Sequence, residues 1–398
     1  MIIDYAAWLN LALRWLHVIT GIAWIGASFY FVWLDNSLTA PSAEEKKAGV
    51  TGELWAVHGG GFYNPKKYAV APAHMPKHLH WFKWEAYFTW LSGFSLLCLM
   101  YYYSANLYLI DPAKMPLTPF QAAFIGLSFI FGGWVFYDEL CRSPVGRDNG
   151  LFGIVWFLAV TAGAYALCHI FSGRGAFIHV GAMLGTVMVA NVFKVIIPNQ
   201  KKVVAALLAG ETPDPRLGAE AKQRSVHNNY MTLPVLLVMI SNHYPMLYSV
   251  PHNWLVLAGL AAAAWPIRQF FNLKHKGNVN YWYPVAGALG IVIVALFVSA
   301  HGSNPAPTVK GAVSPAEVRL IVRERCSACH SDMPTEAGFT AAPKGIAFDT
   351  MPEIEKYAPL IMAQAVDHTA MPLGNATHMT PQERAELGEG LKELTKYP

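Results

Sequence analysis

In the stretch RERCSACHSD, two cysteines three residues apart are followed at once by a histidine: Cys326, Cys329 and His330. Two thiols one helical turn apart can each form a thioether to a porphyrin, and the adjacent imidazole then points at the iron. C-x-x-C-H is therefore the attachment signature of c-type haem. A structural zinc site would need further Cys or His at suitable spacing, and the tail offers only His368 and His378. The expected sixth iron ligand is a methionine. HTAMPLGN sets Met371 before a proline among turn residues; Met379 is the nearest rival, with Met333, Met351 and Met362 behind it. Such a centre moves one electron at a time and does no substrate chemistry, so the chemistry or another electron source must lie in the rest of the chain.

Two further groups could do chemistry. One is a set of four histidines within apolar segments: His17, His169, His179 and His243. Gly21 follows His17 by one turn, Gly175 precedes His179 by one turn, and Arg174 is close by. Small residues leave room for a flat macrocycle and an arginine could meet its propionate, so a b-type haem held by two of these histidines is one reading. The other reading is that each histidine hydrogen-bonds a neighbouring helix and that Gly181 and Gly185 serve close helix packing. The second group is polar: HGGGFYNPKKY and HMPKHLHWFKWEAY bring Asn64, His80, Lys83 and Glu85, and Asn191, Lys194 and HNNY (His227 to Tyr230) follow later. Amides for ring edges, a cation for charge, aromatic faces and a proton acceptor suit a flat, polar, anionic heterocycle. Interfacial aromatics and snorkelling lysines explain Trp81, Trp84 and Lys77 without any ligand. HGGG also suggests an esterase oxyanion hole, but no G-x-S-x-G accompanies it.

These residues must be positioned by apolar helices. Of 398 residues, 54% are hydrophobic and only 14% charged, too apolar for an ordinary soluble domain. A span needs roughly 20 apolar residues, and eight candidates fit, at 8–34, 84–103, 119–140, 151–172, 176–198, 229–248, 253–271 and 281–300. A linker at 301–313 precedes a tail of soluble composition, 314–398, with helices starting at Ser314–Pro315 and Thr380–Pro381, each with a glutamate three residues after the cap. The reading is all-α: an eight-helix transmembrane bundle, residues 1–300, followed by a small class I-like cytochrome c domain. Residues 1–300 carry 20 Lys/Arg against 13 Asp/Glu, and the tail 9 against 12. No basic run or stacking module points to nucleic acid. Cys98, Cys141 and Cys168 are scattered core residues and imply no disulfide framework.

Loops after the odd-numbered spans hold sixteen Lys/Arg, counting Arg268 near the end of the seventh span with its loop, and loops after the even-numbered spans hold two. The positive-inside rule then places the odd loops in the cytoplasm and both termini outside, in agreement with haem c attachment on the outer face of a bacterial membrane. The four histidines fall in the outer half, and His169 and His179 at matching depth across the short GRG turn. The polar group falls in the inner half. Charge at bilayer depth costs a few kcal/mol, so each such residue is a functional candidate.

LRWLHVITGIAWIGASFYFVWLDNSL, ELWAVHGGGFYNPKKY, HLHWFKWEAYFTWLSGF and HNNYMTLPVLLVMISNHYP, closed by CSACH, resemble the membrane-bound bacterial urate oxidase (urate hydroxylase) family over nearly the whole chain. The resemblance implies an eight-span domain joined to a cytochrome c, conversion of urate to 5-hydroxyisourate in purine catabolism, and electrons passing to a soluble cytochrome c or terminal oxidase. LHVITGIAWIG is also similar to smaller membrane proteins that hold a b haem through a first-helix histidine, which favours His17. The expectation is a cytoplasmic-membrane enzyme in which Lys83 or Lys194 offsets urate's charge, Asn64, Asn228 and Asn229 read its ring edges, and His80 or Glu85 takes a proton. A quinol-oxidising b/c-type electron-transfer subunit is the alternative, and a haem-bearing partner of a transporter a third reading.

Overall fold

The computed structural model describes residues 5–72, 74–301, 307–309, 311–336 and 339–395. Parts of the expected linker (302–306 and 310) and of the expected tail (337–338 and 396–398) lie outside the described residues, as do residues 1–4.

Six helical stretches have the length and composition to cross a membrane: α1 (Tyr5–Ser37), α5 (Pro119–Arg142), α6 (Asn149–Ile170), Gly173–Leu208, α10 (Asn253–Lys274) and α11 (Trp282–His301). The fourth joins α7 (Gly173–Ala190) and α8 (Ile197–Leu208) through a π-helical segment, Asn191–Ile196. The other two expected spans are also helical. One is α3 (Trp84–Leu97), which runs on through a π-helical turn at Cys98–Tyr102. The other is α9 (Pro215–Ser241), which starts well before residue 229 because Asp214 caps it and Pro215 opens it. α3, 14 residues long, and α9, with its polar first half, stand apart from the six.

Local chemistry fixes the helix starts. Thr118 and Gln121 form a capping box with Pro119 at the first position of α5. Asp148 accepts from Gly150 and Leu151 at the start of α6, and Ser172 accepts from Gly175 at the start of α7.

α7 is the central rod. Phe177, His179, Val180 and Val187 are at most 1% exposed, and the surrounding core draws on α3, α5, α6 and α9. Glycines bring the neighbours close. A Cβ on Gly181 would lie 2.5 Å from Val238 of α9, and one on Gly133 of α5 would lie 2.5 Å from Met183. Gly185 meets nothing within 4 Å, so the G-x-x-x-G packing expectation holds for one of its two glycines. α1 is the opposite case: none of its residues is buried, and Trp8, Trp15 and Ile22 are each more than 60% exposed. An apolar helix so exposed suits lipid as its solvent.

The first loop departs from the all-α expectation. After α2 (Ala43–Lys47) it forms two small antiparallel pairs: β1 (Val50–Glu53) with β4 (Lys66–Tyr68), and between them β2 (Ala56–His58) with β3 (Gly61–Tyr63). Gly59 and Gly60 both have positive φ, +57° and +80°, the requirement of a two-residue turn twisted to match its strands. The first two glycines of HGGG are therefore turn residues, and the third, Gly61, begins β3.

The tail has a core of its own. It is built by α12 (Pro315–Arg325), α13 (Met351–Ile361) and α14 (Pro381–Thr395), with Val318, Val322, Ile354, Leu387 and Leu391 at most 1% exposed. Both expected caps are present: Ser314 with Glu317, and Thr380 with Glu383. The tail meets the helical bundle at α4 (Ala105–Tyr108), the short helix between α3 and α5. A Cβ on Gly374 would lie 3.0 Å from the Asn106 carbonyl oxygen and 3.2 Å from that of Leu107. Only a glycine lets the Met371–Asn375 loop sit this close. The bundle thus has a tail end, beside α4, and a hairpin end, where α1 runs into the first-loop strands.

Candidate functional site

The hairpin end is organised by one polar stretch of α9. Arg224, His227, Asn228 and Asn229 are each less than 10% exposed, in a helix otherwise expected to sit among apolar neighbours. Burying so many polar groups is costly unless each finds a partner, and successive residues turn to three different neighbours. Asn228 faces α7 and the second π-helical segment: it donates to the Met188 carbonyl at 2.9 Å and accepts from Asn191 at 2.9 Å. Arg224 and His227 face α5 and α6. Arg224 donates to Asp138 at 2.8 Å, and Asp138 also pairs with Arg142 at 2.6 Å. His227 stacks on Phe152, with ring centroids 4.2 Å apart, and its Nδ1 lies 2.8 Å from the Tyr137 hydroxyl.

Asn229 turns the other way, to α10. Its carbonyl oxygen accepts from Arg268 Nε at 2.8 Å and from Asn272 at 3.1 Å. The Arg268 guanidinium lies over Phe29 of α1, 4.1 Å from the ring centroid. Five buried polar atoms on these two faces of α9 have no partner among the described residues: Arg224 Nη1, His227 Nε2, Asn229 Nδ2, Asn272 Oδ1 and His275 Nδ1.

Of the seven expected substrate-handling residues, only Asn228 and Asn229 enter this buried polar centre. Asn64 donates to the Leu54 carbonyl and to Glu53, tying the two hairpins together. Lys83 lies over Trp84 and Lys194 over Phe193. His80 is exposed and packs edge-on against Phe82. Glu85, in the first turn of α3, is half-buried, and among the described residues none bonds its carboxylate. Tyr137, Arg224, Arg268 and Asn272 were outside the sequence expectation. Their signal was weak, because each is a lone polar residue whose partner lies far away in the chain.

The four apolar-segment histidines do not converge. His169 and His179 sit on adjacent helices but point apart: His169 is exposed, donating to the Tyr165 carbonyl, while His179 is 0% exposed. His243 is exposed beyond the end of α9. His17 and His179 share a different arrangement. His17 Nδ1 donates to the Thr89 carbonyl at 2.9 Å and its ring edge faces Gly93, where a Cβ would come within 2.7 Å of Cε1. His179 Nδ1 donates to the Gly175 carbonyl at 2.8 Å and its Nε2 faces Gly126, where a Cβ would come within 2.5 Å. An Nδ1–H fixed on a carbonyl, which leaves Nε2 as the free lone pair, is how a metal-ligating imidazole is oriented; Nε2 is the atom nearest the glycine only in His179. Tyr102 also reaches His179 Nε2, at 3.2 Å.

In the tail, Cys326 ends α12, and the His330 N–H donates to its carbonyl one turn later. Both thiols of the motif are free, and His330 Nδ1 donates to the Ile346 carbonyl at 2.9 Å, leaving Nε2 for a metal. Cys326, Met371 and Met379 belong to the same tail core, whereas Met333 is 83% exposed. Arg384 donates to the carbonyls of Met371 and Ala365, which fixes the methionine loop against α14. This donor set fits a covalently held haem.

Helices able to cross a membrane, with a buried polar centre at one end, are compatible with a multi-pass membrane protein. The family model for the N-terminal part of urate oxidase matches residues 4–299, which include every residue of that polar centre. The chain belongs to the urate oxidase N-terminal family. No curated protein and no solved structure matches it.

Proposed function

We propose that this chain is a membrane-bound urate oxidase that passes electrons to its own haem c. The observation that carries the reading is the family match across residues 4–299 in a chain that continues to C-x-x-C-H at Cys326–His330. In this reading α1, α3, α5, α6, α7, α9, α10 and α11 all span the inner membrane of a bacterium. The hairpin end is cytoplasmic, and the tail and both termini are periplasmic.

Urate enters at the hairpin end as its monoanion. It takes up one water and gives 5-hydroxyisourate, two protons and two electrons. Glu85 is the preferred proton acceptor: it is half-buried at the start of α3 and no described residue bonds its carboxylate. His80 is the weaker candidate because it is exposed on Phe82. Cys326 and Cys329 would hold haem c by thioethers, with His330 and Met371 as its iron ligands, and His17 and His179, each with Nδ1 held on a backbone carbonyl, would be separate ligand candidates for haem b. When bound, these groups accept electrons one at a time. The membrane part supports the relay by clamping α4 under the methionine loop: Ser172 donates to the Leu109 carbonyl at 2.9 Å, and Ile110 bridges Phe171. A soluble cytochrome c or a terminal oxidase takes the electrons onward.

Turnover in ¹⁸O-labelled water tests the reaction. The new hydroxyl at C5 is expected to carry the water label. Label arriving from ¹⁸O₂ would replace this reading with direct oxygen chemistry.

A further inference from the structure

We propose that Arg268, Asn229, Asn272 and His275, between α1, α9 and α10, form the seat for a planar anionic ring. The name of the anion, urate, rests on the proposed function; the seat itself rests on a buried arginine without a counter-ion and on three unmet polar atoms beside it.

Arg268 is 5% exposed, and no Asp or Glu among the described residues pairs with it. The other buried arginine of the site, Arg224, is neutralised by Asp138 at 2.8 Å. A buried cation without a counter-ion is expensive, so of the two faces of α9 the Arg268 face is the one that calls for an anion. Phe29 lies under the guanidinium and holds it flat. Nε is already committed to Asn229, and among the described residues neither Nη nitrogen has a hydrogen-bond partner. A guanidinium held in this way recognises a carboxylate or an enolate in plane, with paired hydrogen bonds.

The orphaned atoms extend the same recognition. Asn229 is 2% exposed and its Nδ2 donor has no partner; Asn272 Oδ1 is an acceptor without one; His275 Nδ1 is a third. A buried polar atom left without a hydrogen bond is costly, so the free protein holds these groups ready for a ligand. A cation, an amide donor, an amide acceptor and an imidazole match the alternating C=O and N–H edge of an oxidised purine anion. An alkyl carboxylate would satisfy the cation and leave the amides unmet.

The test measures urate binding by equilibrium dialysis on the full-length protein in nanodiscs, reduced beforehand so that no turnover occurs. Arg268→Gln and Asn229→Leu are each expected to weaken binding about tenfold or more, with helical content and haem content unchanged. Arg268→Lys should recover part of the affinity, because it restores charge without the fork. In turnover, KM should rise far more than kcat falls. Asn272→Leu, which leaves the arginine in place, guards against misfolding of the arginine variants and should still weaken binding. Wild-type affinity in folded Arg268→Gln would overturn the seat, as would failure of the wild type to bind any planar anion. Arg268-dependent binding of xanthine with no binding of urate would keep the seat and remove the urate reading.

Discussion

The Tyr137 hydroxyl stands 2.8 Å from His227 Nδ1, and Asn191 donates to the same phenol oxygen at 3.0 Å. The phenol oxygen accepts from Asn191 and meets Nδ1, so one proton is shared between the phenol and the imidazole. One phenol therefore ties α5, the second π-helical segment and α9 together. Tyr137→Phe removes one of the two acceptors of the Asn191 amide, which keeps Asn228, and leaves His227 Nδ1 with only the distant Cys141 thiol in a buried site. The expected loss is about 1–3 kcal/mol of stability, read as a lower unfolding midpoint in detergent. An unchanged midpoint would mean that water replaces the phenol there.

Glu85 and His80 separate on exposure. Glu85→Ala should lower kcat/KM by about a hundredfold or more, the usual scale for losing a proton acceptor. His80→Ala should stay within a few-fold of wild type. If both variants with intact folding turned over as wild type, proton removal would have to be assigned elsewhere.

Haem content distinguishes the histidines and methionines. Cys326→Ser or Cys329→Ser should impair covalent haem in the pyridine haemochrome spectrum. Met371→His should lower the reduction potential of haem c, since methionine ligation raises it, while Met379→Leu should leave it near wild type. Loss of a b-type component in His17→Leu or His179→Leu, with retention in His169→Leu and His243→Leu, is the pattern expected from their orientations. A spectrum of haem c alone in the wild type would remove haem b.

Acid should loosen the tail through Glu383. Burial works to raise its pKa, but hydrogen bonds from Arg325, the Thr380 N–H and the Thr380 hydroxyl, with the Arg325 charge, outweigh it and hold the carboxyl below its usual value. Glu383 therefore stabilises the fold fully above the ordinary carboxylate pKa of about 4.3, and that stability is lost as pH falls through its lower folded value. Glu383→Gln should cost about 1 kcal/mol at neutral pH, given partial exposure of the Arg325–Glu383 pair, and should flatten the tail's acid unfolding curve. The same slope in wild type and variant would mean that the pair contributes nothing.

How far the sequence revealed these features depended on how local they are. Apolar runs placed six of the eight expected helices to within a few residues, and the caps at Ser314 and Thr380 were readable because cap and glutamate are three residues apart. The long start of α9 was hidden because hydropathy does not mark a helix that begins in polar sequence. The π-helical turns at Cys98–Tyr102 and Asn191–Ile196 left no local signature, yet they carry Tyr102, which meets His179, and Asn191, which meets Tyr137. Lysines that looked like charge partners, Lys83 and Lys194, lie on their neighbouring aromatic rings. Arg268, which meets an asparagine 39 residues away, needed the tertiary fold to become visible.

The central claim is that electrons from urate reach the haem at Cys326 and Cys329. Oxidised protein, purified in detergent and kept free of oxygen, should show reduction of the haem c α-band on adding urate, at a rate compatible with turnover, and none on adding xanthine. No reduction by urate, with rapid reduction by a quinol, would contradict the account and make the chain a respiratory electron-transfer subunit.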